Sequence, residues 1–242
     1  VMPRSTPPAL TTLLALRSTP LPIIFDADGL PLDERVDFAG QSPSSLVYRL
    51  LRDIEVQAVQ RATVVLTRSN KAVDILLARA GAGTVREKFY VVGNGRDADL
   101  FNPKDANTRR QLRQQLGLAE STALLVYAGS IGPQYCLGEM LALFSFVRQR
   151  RADSHLLILT GSPASVTETL TAHPDLESAV TALTVLPADV PAYLASADLG
   201  LALRRPSFSM QAIAPISSPK TSALATPVTK STSFTWSSRL SQ

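Results

Sequence analysis

The stretch from Leu124 to Gly132 reads LLVYAGSIG, and it decides the fold class. Its first five residues form a short apolar run of the kind that fills a buried strand, and the run leads directly into Gly129-Ser130-Ile131-Gly132. An apolar segment from about 137 to 147 follows and predicts a helix. A buried strand, a glycine-containing turn and a helix in this order predict a βα unit of a parallel sheet.

The same alternation extends in both directions from this unit. Strands are predicted at 22–25, 63–67, 88–92, 155–160, 181–185 and 198–203. Helices are predicted around 47–58, from Ser69 or Asn70 to Gly81, at 106–116 and at 190–197, from apolar spacing and from capping residues. In the first of these helices, Val47, Leu50, Leu51, Ile54 and Ala58 share the apolar face. The pattern therefore predicts two α/β blocks, joined near 102–123.

The composition of the chain excludes several classes of protein. The chain has 242 residues, 45% of them hydrophobic and 18% charged, with one cysteine and a net charge of +4. This apolar content supports a packed core and argues against disorder. A single cysteine excludes an internal disulfide and favours a reducing, cytoplasmic compartment. A charge of +4 is too mild to predict a nucleic-acid partner, and no apolar run approaches the roughly 18 residues that span a bilayer.

Most catalytic and metal-binding patterns are missing from the sequence. The two histidines, His155 and His173, fall in a predicted strand and in a polar linker, so neither a histidine triad nor a metal site is expected. The stretch 93–98 fits the pattern GxGxxA after a strand, but Pro103 closely follows it. Since proline cuts off a continuing helix, a turn or hinge is favoured there over a dinucleotide site.

Two stretches remain as candidates for binding phosphate. Gly129-Ser130-Ile131-Gly132 lies between a strand and a helix, where glycine N–H groups and the Ser130 hydroxyl could face an anion; an ordinary βα turn is the equal alternative. Arg204-Arg205 follows the carboxyl end of a predicted strand, where open α/β sheets bind ligands, although a solvated pair fits as well.

Two further groups of residues are candidates for catalysis. Asp33-Glu34-Arg35 could supply an acid/base carboxylate, but an exposed ion pair is favoured. Cys136, near a predicted helix start, is interpreted as an inert small residue rather than a nucleophile.

In this order, these landmarks resemble the retaining glycosyltransferases of the GT-B fold, family 4. The most specific match is the passage from Phe89-Tyr-Val-Val-Gly-Asn-Gly-Arg-Asp-Ala-Asp-Leu-Phe-Asn-Pro103, similar to an "ipNGvD…F.P" pattern of that family. Phe25-Asp-Ala-Asp-Gly29 with Asp33-Glu-Arg-Val36, and Tyr127-Ala-Gly-Ser-Ile-Gly-Pro-Gln-Tyr135, resemble segments of a subset of these enzymes. The resemblance covers about residues 20–216.

The resemblance implies two Rossmann-like domains that hold a UDP- or GDP-sugar donor, and transfer with retention to a saccharide or lipid-linked acceptor. It implies no metal or other cofactor, and a cytoplasmic location with peripheral membrane contact as a further option. Gly129, Ser130 and Gly132 would face the diphosphate, Leu186 and Pro187 would line the base pocket, and Arg205 and Ser209 would lie beside the transferred sugar. No individual catalytic residue is assigned.

Domain limits and completeness follow as expectations from the same resemblance. Residues 1–104 would be a remnant of the acceptor-side domain, 105–216 an incomplete donor domain, and 217–242 an atypical Ser/Thr-rich tail. No acidic residue follows Asp198, and Ala223 stands where the family pattern has a glutamate. We therefore expect an N-terminally truncated chain, read out of frame after about Pro215, with weak or no catalysis. A non-catalytic nucleotide-binding or inert Rossmann-like fragment is the alternative.

Overall fold

A computed structural model describes residues 1–93, 99–101 and 106–212, together with the backbone of 225–227. The chain forms two compact units, one made of Val1–Arg96 and Arg204–Ser217, the other of Asp97–Leu203 and Ser218–Gln242. The structure thus groups residues 204–212, which the sequence prediction gives to the second domain, with the first unit. Most of the GxGxxA stretch (94–98) and of the 217–242 tail lies outside the described residues.

The first unit is a small parallel sheet with helices packed on one face. Its elements in chain order are α1 (Thr6–Ala15), β1 (Ile24–Asp26), α2 (Pro31–Phe38), α3 (Leu46–Arg61), β2 (Val64–Thr67), α4 (Asn70–Ala80) and β3 (Phe89–Val91). The strands lie in the order β1-β2-β3, all parallel. Phe25 and Val65 are paired in register and pack with Ala9, Ala58 and Leu76 from three helices.

Local sequence signals fix the helix ends of this unit. The Ser69 hydroxyl accepts the Ala72 N–H and caps α4, and Gly81 ends the same helix at φ +75°, a conformation that glycine adopts without strain. Ser45 caps α3 in the same way through the Tyr48 N–H. The predicted apolar face of α3 is only half buried, because Ile54 and Ala58 lie in the core whereas Val47 and Leu50 are about 60% exposed. The helix is confirmed, and the amino-terminal part of its apolar face is exposed.

The second unit is a parallel sheet covered on both faces. Its elements are α5 (Ala106–Gln115), β4 (Ala123–Ala128), α6 (Leu137–Arg150), β5 (Ser154–Leu159), α7 (Pro163–Leu170), β6 (Val180–Leu183), α8 (Val190–Ser196), β7 (Leu199–Leu201) and β8 (Ala225–Pro227). The strand order is β6-β5-β4-β7-β8, with only β8 antiparallel. Every residue of β5 is buried, as expected for a parallel strand between two layers of helices.

The two layers have separate cores. Leu125 and Ile158 pack with Met140 and Phe144 of α6 on one face. Leu124, Val126 and Leu157 pack on the other face, against residues of α8. The α/β fold class predicted from the sequence is confirmed, and the carboxyl ends of β4, β5, β6 and β7 share one edge of this sheet.

Candidate functional site

Strand order in the second unit points to one place on its sheet edge. The chain runs from β4 to β5 and β6 on one side, and then returns to place β7 on the other side of β4. The chain therefore leaves the carboxyl end of β4 towards β5, and the order of the strands reverses between β4 and its parallel neighbour β7. Open α/β sheets bind ligands in the crevice at such a switch point. The loop at this point is Gly129–Gly132, the stretch that the sequence favours for phosphate.

A close approach by Tyr127 shapes this loop. The Tyr127 hydroxyl donates to the Ser130 carbonyl oxygen across 2.7 Å. A Cβ atom at position 129 would lie 2.7 Å from that hydroxyl oxygen and 3.0 Å from the ring carbon that bears it. Glycine is therefore required at 129 as long as Tyr127 keeps its place. Nothing in the fold demands glycine at 132, where an added Cβ would meet no atom closer than 3.5 Å.

Backbone donors in the loop are not all available to an anion. The Gly129 N–H donates to the Leu159 carbonyl across 3.0 Å and so belongs to the sheet ladder. In this conformation the Gly129 amide is therefore already engaged and does not donate to a ligand. Ser130 is exposed, and its hydroxyl remains the candidate donor beside the switch point.

Helix α6 does not begin directly after Gly132, because one extra turn of chain lies between them. A 3₁₀ turn, Pro133–Tyr135, separates Gly132 from α6. Cys136 then adopts left-handed backbone angles at φ 55°, is buried, and accepts the Met140 N–H at its carbonyl. The buried thiol fits the interpretation of Cys136 as a packing residue rather than a nucleophile.

The predicted base-pocket residues lie at the same sheet edge, after β6. Leu186 is 70% exposed, and its carbonyl accepts the Asp189 N–H at 2.9 Å in the turn that precedes α8. Pro187 is exposed beside it. Between them and the 129–132 loop lies the end of β5, where the buried Thr160 accepts the Thr184 hydroxyl at its carbonyl.

Arg205 and Ser209, the predicted sugar-side residues, belong to the first unit. Arg205 is exposed, whereas Ser209 has no exposed area. The hydroxyl oxygens of Ser209 and Ser207 lie 3.1 Å apart. The backbone N–H of Ser209 donates to Asp37 Oδ2 at 2.8 Å. Asp37, on α2, was not singled out from the sequence, because nothing local to α2 indicates a partner about 170 residues away.

The stretch Asp33–Arg35 differs from the exposed ion pair favoured from the sequence. Asp33 is 7% exposed and accepts hydrogen bonds from Arg52 and from both terminal nitrogens of Arg79, each at 2.9 Å. Glu55, also buried, pairs with the same two arginines. This buried ion-pair cluster joins α2, α3 and α4, so the role of Asp33 is to hold the helices together.

Glu34 is the other carboxylate of this stretch. Burial raises its pKa, and the positive charge of Arg204 opposes the shift only in part. Within the part of the chain that the structure describes, no group of three or more His, Cys, Asp or Glu side chains could hold a metal ion. His155 lies 2.8 Å from the Thr181 hydroxyl through Nε2, which is a structural contact between β5 and β6.

Comparison with known proteins identifies the fold. No protein-family model and no curated protein sequence matches the chain. Among solved structures, HepE of Anabaena in complex with UDP and glucose is similar with a TM-score of 0.62 and 18% identity, over 83% of this chain and 52% of HepE. WaaG, a glycosyltransferase involved in lipopolysaccharide biosynthesis, matches at 0.59 and 19%, over 81% and 56%.

A third similar structure is the catalytic domain of starch synthase IV from Arabidopsis thaliana, bound to ADP and acarbose. It has a TM-score of 0.53 and 15% identity, over 83% of this chain and 51% of its own. At these identities the likeness shows the fold, two Rossmann-like α/β units of GT-B type. The chain spans about half the length of these structures. No described helix is long and apolar enough to cross a membrane.

Proposed function

We propose that the chain is part of a glycosyltransferase that uses a nucleotide-sugar, and that the second unit binds the donor. The observation that carries the proposal is the reversal of strand order at β4, with the Gly129–Gly132 loop at the carboxyl end of that strand. Similar structures were solved with UDP and glucose and with ADP, which supports a nucleoside diphosphate as the ligand class.

In this reaction the loop would stabilise negative charge. As the bond to the sugar breaks, charge builds on the leaving diphosphate, and fixed dipoles that point at it lower the barrier. The Ser130 hydroxyl and the backbone from Ser130 to Gly132 would supply those dipoles. Gly129 would act indirectly, because it lets the chain pass the Tyr127 ring. Leu186 and Pro187 would cover the base, and Arg205 and Ser209 are assigned to the sugar side.

The finer assignment rests on the ordered resemblance to family 4. It comprises transfer of a hexose, with retention of the anomeric configuration, to a glycolipid or polysaccharide acceptor. The enzyme would need no metal ion and would act in the cytoplasm, at the inner face of a membrane.

A module that binds a nucleotide without transferring a sugar is the second candidate. It is favoured by the strand order of the second unit, because a switch point at the carboxyl ends of parallel strands can bind a nucleotide whether or not a reaction follows. Binding of the donor and transfer of the sugar must therefore be measured separately.

Titration calorimetry with UDP, GDP and ADP tests the proposal. We expect one of the three to bind with 1:1 stoichiometry and to compete with the corresponding nucleotide-sugar. Turnover with that donor and a saccharide acceptor supports the transferase, and binding without turnover supports the module. Failure of all three nucleotides to bind would overturn both.

A further inference from the structure

A short segment that runs alongside β1 extends the first sheet, and we call it the edge segment (residues 1–4). The Val1 carbonyl accepts the Ile24 N–H at 2.9 Å, and the Pro3 carbonyl accepts the Asp26 N–H at 3.0 Å. Residue 4 is the bridge partner of Asp26 in this pairing, which is parallel. The edge of the first sheet is therefore formed by this segment and not by β1.

The outer side of the edge segment is open to pairing. Because the backbone groups of successive residues in a strand point to opposite sides, those of Val1 and Pro3 face β1, and those of Met2 and Arg4 face away from it. In the part of the chain that the structure describes, no backbone group pairs with Met2 or Arg4 on this outer side. Proline often blocks an edge strand, but Pro3 turns its missing N–H inward, so the outer side keeps its donors and acceptors.

The outer side is complementary to a second copy of itself. Two identical strands related by a two-fold axis run antiparallel, and an axis beside Pro3 places Met2 of each copy opposite Arg4 of the other. Residues opposite each other in an antiparallel pair alternate between hydrogen-bonded and non-hydrogen-bonded positions. The Met2–Arg4 pairs would take the hydrogen-bonded positions, because their groups face outward. The central pair of prolines would take the position that needs no N–H.

The side chains on this edge fit the same arrangement. Met2 is 58% exposed. The Arg4 guanidinium is exposed too, but it donates to Asp28 Oδ2 from Nη2 at 2.7 Å and from Nε at 3.0 Å. Since Asp28 offsets its charge and the opposite residue is a methionine, pairing brings no unbalanced like charges together. The aliphatic part of the Arg4 side chain would cover Met2 of the other copy.

A cleft beside the edge segment adds apolar surface to this contact. It has a volume of about 610 Å³ and lies between the edge segment and α1, where it is lined by Pro7, Pro8, Thr11 and Thr12. A strand added to the outer side would cover this cleft. Burial of apolar surface would then accompany the backbone hydrogen bonds.

We propose that the edge segment is a homodimer interface, at which a second copy of this chain pairs antiparallel about Pro3. The inference concerns the first unit alone and does not depend on the proposed function. A strand edge with unblocked donors and acceptors is a template for another strand. In the two-fold register, the outward groups of Met2 and Arg4 are satisfied by the same groups of the other copy.

Sedimentation velocity over a range of protein concentrations tests the pairing. We expect the unaltered chain to form a dimer. Met2→Pro should raise the dissociation constant of this dimer at least about tenfold, because each copy loses an outward N–H at the interface. Met2→Ala keeps that N–H and is the matched control, with a smaller effect. A monomeric unaltered chain, or equal dissociation constants for the two variants, would overturn the inference.

Disulfide trapping tests the register in a variant that keeps the outward groups. Pro3 meets its counterpart at the two-fold axis in a non-hydrogen-bonded pair, where Cα atoms lie about 4.5 Å apart. A disulfide spans this distance. Under mild oxidation, Pro3→Cys should therefore form a covalent dimer, whereas Ser18→Cys, at an exposed position after α1, should remain mainly monomeric. Equal cross-linking of the two variants would overturn the inference.

Discussion

Arg113 donates from Nη2 to Oδ2 of Asp198 across 2.7 Å, and this pair joins α5 to the amino-terminal edge of the second sheet. The Arg113 side chain is 1% exposed, and its other donors reach the carbonyls of Ser196 and Thr122. Asp198 also accepts the Leu124 N–H at 2.8 Å. Although burial opposes it, the Leu124 amide and Arg109 hold the pKa of Asp198 below its ordinary value. The start of β4 and the start of β7 are thus held by one ion pair.

Replacing Arg113 should destabilise the second unit. Arg113→Ala removes the donor of the buried Thr122 carbonyl and one of the two arginines that pair with Asp198, so we expect the free energy of unfolding to fall by about 2–4 kcal/mol. Arg110, on the same helix, pairs with Glu120 at the surface, and Arg110→Ala should change it by less than about 0.5 kcal/mol. Urea unfolding followed by circular dichroism measures both. Equal stability of the two variants would contradict a stabilising role for the Arg113–Asp198 pair.

His155 should make stability depend on pH. Burial lowers its pKa in the folded chain, whereas the unfolded chain takes up a proton at about 6.5. The unfolded state therefore binds more protons below that value, and stability falls as the pH drops from 7.5 to 5.5, by at most about 1.4 kcal/mol per pH unit. His155→Gln should lose this part of the slope and His173→Gln should keep it. If the unaltered protein and both variants lose stability equally between pH 7.5 and 5.5, His155 is not the group responsible.

A methyl group at position 129 should disrupt the proposed phosphate loop. The added Cβ would meet the Tyr127 hydroxyl at 2.7 Å and push it from the Ser130 carbonyl, so we expect Gly129→Ala to weaken UDP binding at least about tenfold. Gly138, in the first turn of α6, has nothing within 4 Å of an added Cβ. Gly138→Ala should keep full affinity and stabilise the helix by about 0.5–1 kcal/mol. Calorimetry on both variants decides, and equal affinities would exclude the loop.

Two positions of α3, one turn apart, should differ sharply in their effect on stability. Ile54 is 4% exposed and Leu50 is 60% exposed. Ile54→Ala should cost about 2–5 kcal/mol, and Leu50→Ala less than about 0.5 kcal/mol. Thermal and urea unfolding measure the difference. A large loss at Leu50 would mean that this face is covered in solution.

Strands were predictable here because parallel strands are continuous apolar runs. His155-Leu-Leu-Ile-Leu-Thr160 and Leu124-Leu-Val-Tyr-Ala128 both appear in the structure within a residue of their predicted limits. Three helices were not predicted, α1, α2 and α7, and each has proline in its first turn. Proline is tolerated there because the first amides of a helix have no partner within it. The predicted helix α8 also has a proline, Pro191, in its first turn, so this feature is compatible with a helix but does not by itself predict one.

Some features of the candidate site could not be predicted from the sequence, because they depend on contacts between distant parts of the chain. The loop after β4 could be located from strand and glycine order, but the need for glycine at 129 depends on where the Tyr127 ring lies. Likewise, Asp33 and Arg79 are 46 residues apart, and no pattern in either helix indicates that they pair. Spacing shows which face a residue occupies, and the tertiary fold decides what meets it.

The return of residues 204–212 to the first unit makes that unit discontinuous in sequence, with most of the second unit inserted into it. Domains tend to fold one after another as the ribosome delivers them. Here the first unit cannot bury Ala212 in its core until the strands β4 to β7 have been synthesised. The first unit therefore cannot be completed until most of the second unit has left the ribosome.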